Sequence, residues 1–159
     1  MIIKGMIDEV FQDYKEISML IEMPHCSFKC LTELNLPISI CQNCDMAKQN
    51  NIEIANEEII QRYLANDLTK AVIFAGLEPM DSLAEVLDFI RAFRQYSQDY
   101  IIIYTGFKKT ELNKEIALLQ EFPNIVMKFG RFLPDRIKRY DTTLGVYLAS
   151  PNQYARKIS

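Results

Sequence analysis

The chain reads as an α/β protein in which short apolar strands alternate with amphipathic helices. Ala71-Val-Ile-Phe74 and Tyr100-Ile-Ile-Ile-Tyr104 are continuous apolar runs of strand length, the pattern of strands buried on both faces. Between them Leu83, Val86, Leu87, Ile90 and Phe93 recur at helical spacing, which marks one buried helix face. The alternation continues on both sides, and strand–helix–strand repetition is the signature of parallel βαβ units with helices covering a sheet.

In chain order, Ile17 to Met23 reads as the first of these strands, stopped by Pro24. A cysteine-rich segment follows directly. Asn56 then offers a helix cap, with Glu57 and Glu58 in the first turn and Ile59, Ile60, Tyr63 and Leu64 on one face. The strand Ala71–Phe74 ends at Ala75-Gly76-Leu77-Glu78-Pro79, and Ser82 with Glu85 forms a capping box before the next helix. Tyr100–Tyr104 ends at Thr105-Gly106-Phe107. Leu112, Ile116 and Leu119 mark a further helix stopped by Pro123, and Asn124 to Phe129 a strand closed by Gly130. A last strand is expected within Leu144 to Leu148. No repeat, low-complexity tract or linker interrupts the 159 residues, which the size of one core accommodates as a single domain, 1–159.

Parallel sheets of this kind place their chemistry at the C-terminal ends of the strands. Here those ends carry the cysteine segment, Gly76-Leu77-Glu78-Pro79, Tyr104-Thr105-Gly106 and Gly130-Arg131. All the unusual residues converge on one rim.

Composition narrows the function further. The chain is 49% hydrophobic and 25% charged with a net charge of −3, which argues against nucleic acid as the main partner. No apolar stretch reaches membrane-span length and the N-terminus has no signal-peptide pattern, so a cytoplasmic protein without a membrane partner is expected. Arg131, Arg136, Lys138 and Arg139 gather late in the chain, with Arg156 and Lys157 close behind. They read either as a solvated loop or as a docking surface or carboxylate anchor.

All four cysteines lie in Cys26-Ser-Phe-Lys-Cys30 and Cys41-Gln-Asn-Cys44. In a reducing compartment such clusters bind metal more often than they form disulfides. Zinc modules favour paired Cys-x-x-Cys knuckles, and only Cys41–Cys44 is one. The wider Cys26–Cys30 spacing suits a loop wrapped around a larger object, such as a four-iron cluster. A non-catalytic zinc module using Cys26, Cys30, Cys41 and Cys44 stays open as the alternative from another class.

Cys26-Ser27-Phe28-Lys29-Cys30 resembles the opening of the radical S-adenosylmethionine (SAM) motif, C-x-x-x-C-x-x-C, including the aromatic residue two positions before the second cysteine. Gly76-Leu77-Glu78-Pro79 resembles that family's Gly-Gly-Glu-Pro segment. Tyr104-Thr105-Gly106-Phe107 is similar to the Tyr-Thr-Gly of small glycyl-radical activases, and Ser150-Pro151-Asn152-Gln153 to their C-terminal Ser-Asn-Gln element. Order, spacing and chain length together resemble the activating proteins of anaerobic ribonucleoside-triphosphate reductase. The third cysteine of the motif would fall at position 33, which is Glu33. Cys41-Gln42-Asn43 resembles the Cys-x-Asn that ends the motif, which makes Leu31 to Ile40 a loop insertion and Cys26, Cys30 and Cys41 the ligands. The other alignment uses Cys44 as third ligand and leaves Cys30 spare.

The resemblance implies a partial (βα) barrel of mainly parallel strands of radical SAM type. It implies a [4Fe–4S] cluster held by three thiolates, whose open iron chelates SAM for one-electron cleavage to a 5′-deoxyadenosyl radical. It further implies an oxidoreductase that makes a glycyl radical on a partner, anaerobic ribonucleotide reductase or another glycyl-radical protein, with a flavodoxin- or ferredoxin-like electron donor. A small radical SAM enzyme acting on a small molecule is the nearer alternative. The SAM contacts implied are Gly76, Glu78, Tyr104, Thr105, Asn152 and Gln153. Glu78 would accept from the SAM ammonium, or else serve the dipole of the following helix. Gly76 would allow close approach of a ligand or merely turn the chain. Asn152 and Gln153 would read adenine or ribose, or simply form a polar turn. Phe28 is expected beside the cluster or the adenine, and His25 as a structural hydrogen bonder. No hydrolytic triad or carboxylate pair stands out.

Overall fold

The computed structural model describes residues 1–159. Two strands, β1 (Ile2–Ile3) and β2 (Gly5–Val10), lead into β3 (Ser18–Met23). The cysteine segment carries two short helices, α1 (Lys29–Thr32) and α2 (Cys44–Lys48), and ends at β4 (Ile52–Glu53). Then α3 (Asn56–Leu64), β5 (Ala71–Gly76), α4 (Leu83–Phe93), β6 (Tyr100–Tyr104), α5 (Asn113–Leu119) and β7 (Ile125–Phe129) alternate. A hairpin of β8 (Arg139–Asp141) and β9 (Val146–Leu148) precedes β10 (Tyr154–Lys157).

The main sheet has six strands in the order β10-β7-β6-β5-β3-β2. Its centre, β3, β5, β6 and β7, is parallel, and β2 and β10 close the two edges antiparallel. Side chains alternate between the faces, and that sorting positions everything else. Met19, Ile21, Val72, Phe74, Ile101 and Met127 point to one face, where α3, α4 and α5 bury them in the larger core. Phe89 of α4 is fully buried there, edge-on to Phe74 and stacked on Phe93, with ring centroids 5.3 and 5.7 Å away. Ala71, Ile73, Ile102 and Val126 point to the opposite face, under Tyr14, Leu144 and Leu148. None of α3, α4 and α5 lies on that second face; Tyr14 of the β2–β3 turn and Leu144 and Leu148 at the β8–β9 hairpin pack there.

Several expectations needed correction at the edges. Ser82 does precede α4, but its hydroxyl caps nothing and is buried without a partner. Glu85 accepts instead from the Ile2 amide at 3.2 Å, so the capping box gave way to a tie between the helix and β1. The strand expected within Leu144–Leu148 is β9, which pairs with β8 outside the main sheet. The edge strand β10 lies in Tyr154-Ala-Arg-Lys157, a polar stretch with no burial pattern to announce it. No helix is long and apolar enough to cross a membrane.

Candidate metal centre and ligand cavity

The cysteine segment folds as a series of tight turns because it has almost no core of its own. Phe28 adopts a left-handed conformation, φ 51°, and its amide donates to Cys26 Sγ at 3.2 Å. That turn starts α1, which carries Cys30. Farther on, the Asn43 amide donates to Cys41 Sγ at 3.4 Å, and the Asn43 side chain donates to the carbonyl of Gly76. The far end is tied by Lys4, buried to 8% exposure, whose ammonium donates to the carbonyls of Ala47 and Gln49 where α2 ends.

The turns deliver Cys26, Cys30 and Cys41 to one cavity of about 600 Å³ on the sheet face opposite α3, α4 and α5. Cys44 does not line it. No three donor side chains gather tightly enough to hold a single metal ion; the thiols range around a space instead. Burial, opposed by the Phe28 amide and reinforced by Glu78, pushes the Cys26 thiol up to about 12. Burial and then Cys41 raise Cys30, against which Arg131 pulls back. Such thiols become thiolates when a cationic centre compensates them. The donor set and the room therefore fit an iron–sulfur cluster.

Strand register builds the rest of the cavity. Glu22 pairs with Ala75 and Tyr104 with Lys128, at the C-terminal ends of the parallel strands. All four line the cavity, above the apolar row of Leu20, Ile73, Ile102 and Val126. Glu78, 6% exposed, accepts from the Met80 amide at 3.1 Å and the Gly106 amide at 2.8 Å. Burial raises its carboxyl, while Thr105 and the two amides hold the carboxylate form. A carboxylate offers about four acceptor positions, so Glu78 keeps capacity for a cationic donor from the cavity. Lys128 faces the same space at 8% exposure, and its ammonium has only a weak contact to the Gly130 carbonyl at 3.4 Å. Burial lowers it to about 8, against the pull of Glu78 and Cys30. No ion pair joins it to Glu78; the two opposite charges are left available across one cavity.

Of the residues expected to touch SAM, Gly76, Glu78, Tyr104, Thr105 and Gln153 line this cavity. Gly76 is at φ +81°, and a Cβ there would stand 3.2 Å from Glu22 Cα on the neighbouring strand, so the left-handed turn and the close approach of β3 call for glycine. The Tyr104 hydroxyl donates to the Asp13 carbonyl. Asn152 is not brought to the cavity. Its amide donates to the Arg131 carbonyl at 2.8 Å, and it lines a separate hollow with Lys108 and Lys109. Phe28 and His25 also stand outside the lining, the His25 carbonyl accepting from the Glu78 amide at 2.7 Å. Arg131 leaves the expected basic surface altogether: it is 5% exposed and paired with Glu33 and Glu111. Lys128 and Glu22 were missed. Lys128 had a signal, a charge inside the apolar run Ile125-Val-Met-Lys-Phe129 where a central strand rarely buries one.

Fold and site thus define a parallel-sheet protein with a thiol-lined cavity at its strand ends. Residues 19–143 match the model of the 4Fe-4S single cluster domain family, and the chain belongs to that family. The match carries with it one four-iron cluster. No curated protein and no solved structure matches the chain.

Proposed function

We propose that the protein is a SAM-dependent radical enzyme that makes a glycyl radical on a partner protein, the anaerobic ribonucleotide reductase type of partner being the one its motifs resemble. The observation that carries this reading is the cavity itself, where three cysteines, an underused buried carboxylate and an underused buried ammonium face one space. In this reading Cys26, Cys30 and Cys41 hold the cluster and the sheet is the partial barrel of a radical SAM domain. Glu78 accepts from the ammonium of SAM, and Lys128 donates to its carboxylate, so a zwitterion satisfies both charges at once. Gly76 and Thr105 shape the wall beside it. A cluster held by Cys26, Cys30 and Cys41 would supply the one-electron reductive cleavage of SAM that furnishes the hydrogen-abstracting radical.

The residues of the chain orient and exclude water; the redox chemistry belongs to the cofactors. The apolar row beneath the cavity keeps water out from below. The rim includes Gln12 and Asp13 of the β2–β3 turn together with Lys138 and Tyr147, the latter 68% exposed. A protein segment entering there would complete the enclosure, which favours a macromolecular substrate over a small one. The test is anaerobic reconstitution followed by EPR of the reduced cluster with and without SAM, and then a glycyl-radical assay with a candidate reductase. A cluster spectrum that SAM leaves unmoved would overturn the assignment.

A further inference from the structure

Cys30 sits in α1, a helix of four residues that starts from a left-handed Phe28 and ends at Glu33. So short a helix has no stability of its own, and its apolar anchorage is one buried side chain, Leu31. Its charged flanks supply the rest. Lys29, just before Cys30, places its ammonium 2.7 Å from Glu111. Glu33, three residues after Cys30, meets the Arg131 guanidinium at 2.8 and 3.0 Å, a bidentate pairing. The same guanidinium lies 2.9 Å from Glu111 and donates to the Gly106 carbonyl. The Phe107 ring sits against both cations, its centroid 5.2 Å from each. Two cations and two carboxylates balance, which is the condition under which a charge survives burial.

Glu33 also occupies the position where the third cysteine of the resembled motif would fall. It is turned toward Arg131 and does not line the cavity, whereas Cys41 does. We propose that Arg131 is the positioning residue of the metal centre. It grips the chain after Cys30 through Glu33, shares Glu111 with Lys29 before it, and holds position 33 away from the cavity, so the third thiolate comes from Cys41. The inference rests on the reading of Cys30 and Cys41 as cluster ligands.

The test compares anaerobically reconstituted wild-type protein with R131Q, R131K, E33Q and C41A. Iron per chain, the rate of iron loss to a chelator and the midpoint potential are measured. R131Q and E33Q should lose iron about 10- to 100-fold faster than wild type, as follows from removing groups that orient metal ligands. E33Q cuts the same clamp from its solvent side, so the test survives if R131Q fails to fold. R131Q should lower the midpoint potential, because a cation beside a thiolate favours the more negative, reduced cluster. R131K keeps the charge without the fork and should hold the potential while losing iron faster. C41A should lose the cluster. Iron retention in R131Q and E33Q equal to wild type overturns the proposal, as does a cluster kept in C41A. A wild-type protein that binds no cluster overturns the ligand reading itself, before any variant is compared.

Discussion

Lys128→Met should make the ligand-free protein more stable and, under the proposed function, weaken the binding of SAM. The wild-type ammonium is 8% exposed, with one weak carbonyl contact at 3.4 Å and the Tyr104 ring 5.8 Å away. Burial brings its pKa from 10.5 to about 8, and Glu78 and Cys30 keep it from falling further. At about 1.36 kcal/mol per pH unit, the gap of roughly 2.5 corresponds to about 3 kcal/mol. The sign follows from proton counting. Below about pH 8 folded and unfolded chains both carry the proton, and the folded state bears the full cost of burying it. Between about pH 8 and 10.5 the unfolded chain binds more protons, so stability rises with pH. Methionine fills similar space without the charge. Urea unfolding of the apo protein across this range should therefore show Lys128→Met more stable at neutral pH by up to about 3 kcal/mol. The difference should close as pH rises toward 10.5. Taking the difference between the two proteins cancels the other groups that titrate there, Cys26 among them. A variant less stable than wild type at neutral pH, or a difference that ignores pH, would refute the reasoning. So would undiminished SAM binding by the reconstituted variant, since the charge would then have no ligand to justify its cost.

Cys44→Ala should bind as much iron as wild type, whereas Cys41→Ala should lose the cluster; iron analysis and the visible spectrum decide. Gly76→Ala forces a φ of +81° on a residue with a Cβ and sets that atom 2.9 Å from Met46 Sδ, so it should destabilise the apo protein by about 1–3 kcal/mol. Shortening Met46 as well should relieve the contact but not the backbone strain, leaving part of the loss in the denaturation midpoint. Phe89→Ala empties a fully buried site between Phe74 and Phe93 and should cost about 3–5 kcal/mol in chemical denaturation. Burial opposes ionisation of Glu111, but Lys29, the Lys108 amide and Arg131 hold its carboxyl down at about 2. The stability it lends is present above the ordinary value of 4.5 and is lost as pH falls toward about 2. Acid titration of Glu111→Gln should therefore show a shallower fall over that window.

The parallel centre was legible because buried strands cannot hide: Ala71–Phe74, Tyr100–Tyr104 and Ile125–Phe129 are apolar at nearly every position. Edge strands answer to different rules. Charged residues break the apolar pattern of β2 and β10 at Asp8, Glu9, Arg156 and Lys157, so β2 and β10 form through pairing with β3 and β7 rather than through any pattern of their own. The rim was legible for the same reason as the centre, since chain direction places the ends of parallel strands together. What a linear reading could not supply was the depth of each polar residue. Arg131 looked like one of four surface cations until the fold placed Glu33 and Glu111 around it. Asn152 looked like a cavity residue until Gly130 turned the chain at φ +107° and the Arg131 carbonyl claimed its amide.

The structure also explains how the thiol geometry tolerates a long excursion between Cys30 and Cys41. A segment that buries so little must be held from outside, and it is held at three points by different chemistry. Arg131 and Glu111 fix its beginning through ion pairs, and Asn43 fixes its end to the Gly76 carbonyl. Lys4 binds the carbonyls that close α2. Between the first two ties, Leu34, Ile38 and Ile40 are exposed at 42, 52 and 40%, so nothing in the core constrains that stretch. Length there can vary without moving Cys30 or Cys41, because each thiol is positioned by the tie nearest to it. The three ties therefore carry the register of the site. Shortening the loop between Leu34 and Ile40 should leave iron content unchanged, while Asn43→Ala, a single amide removed at the Cys41 end, should reduce it about 10- to 100-fold in retention against a chelator. The opposite pattern would place the control of ligand geometry in the loop and not in its anchors.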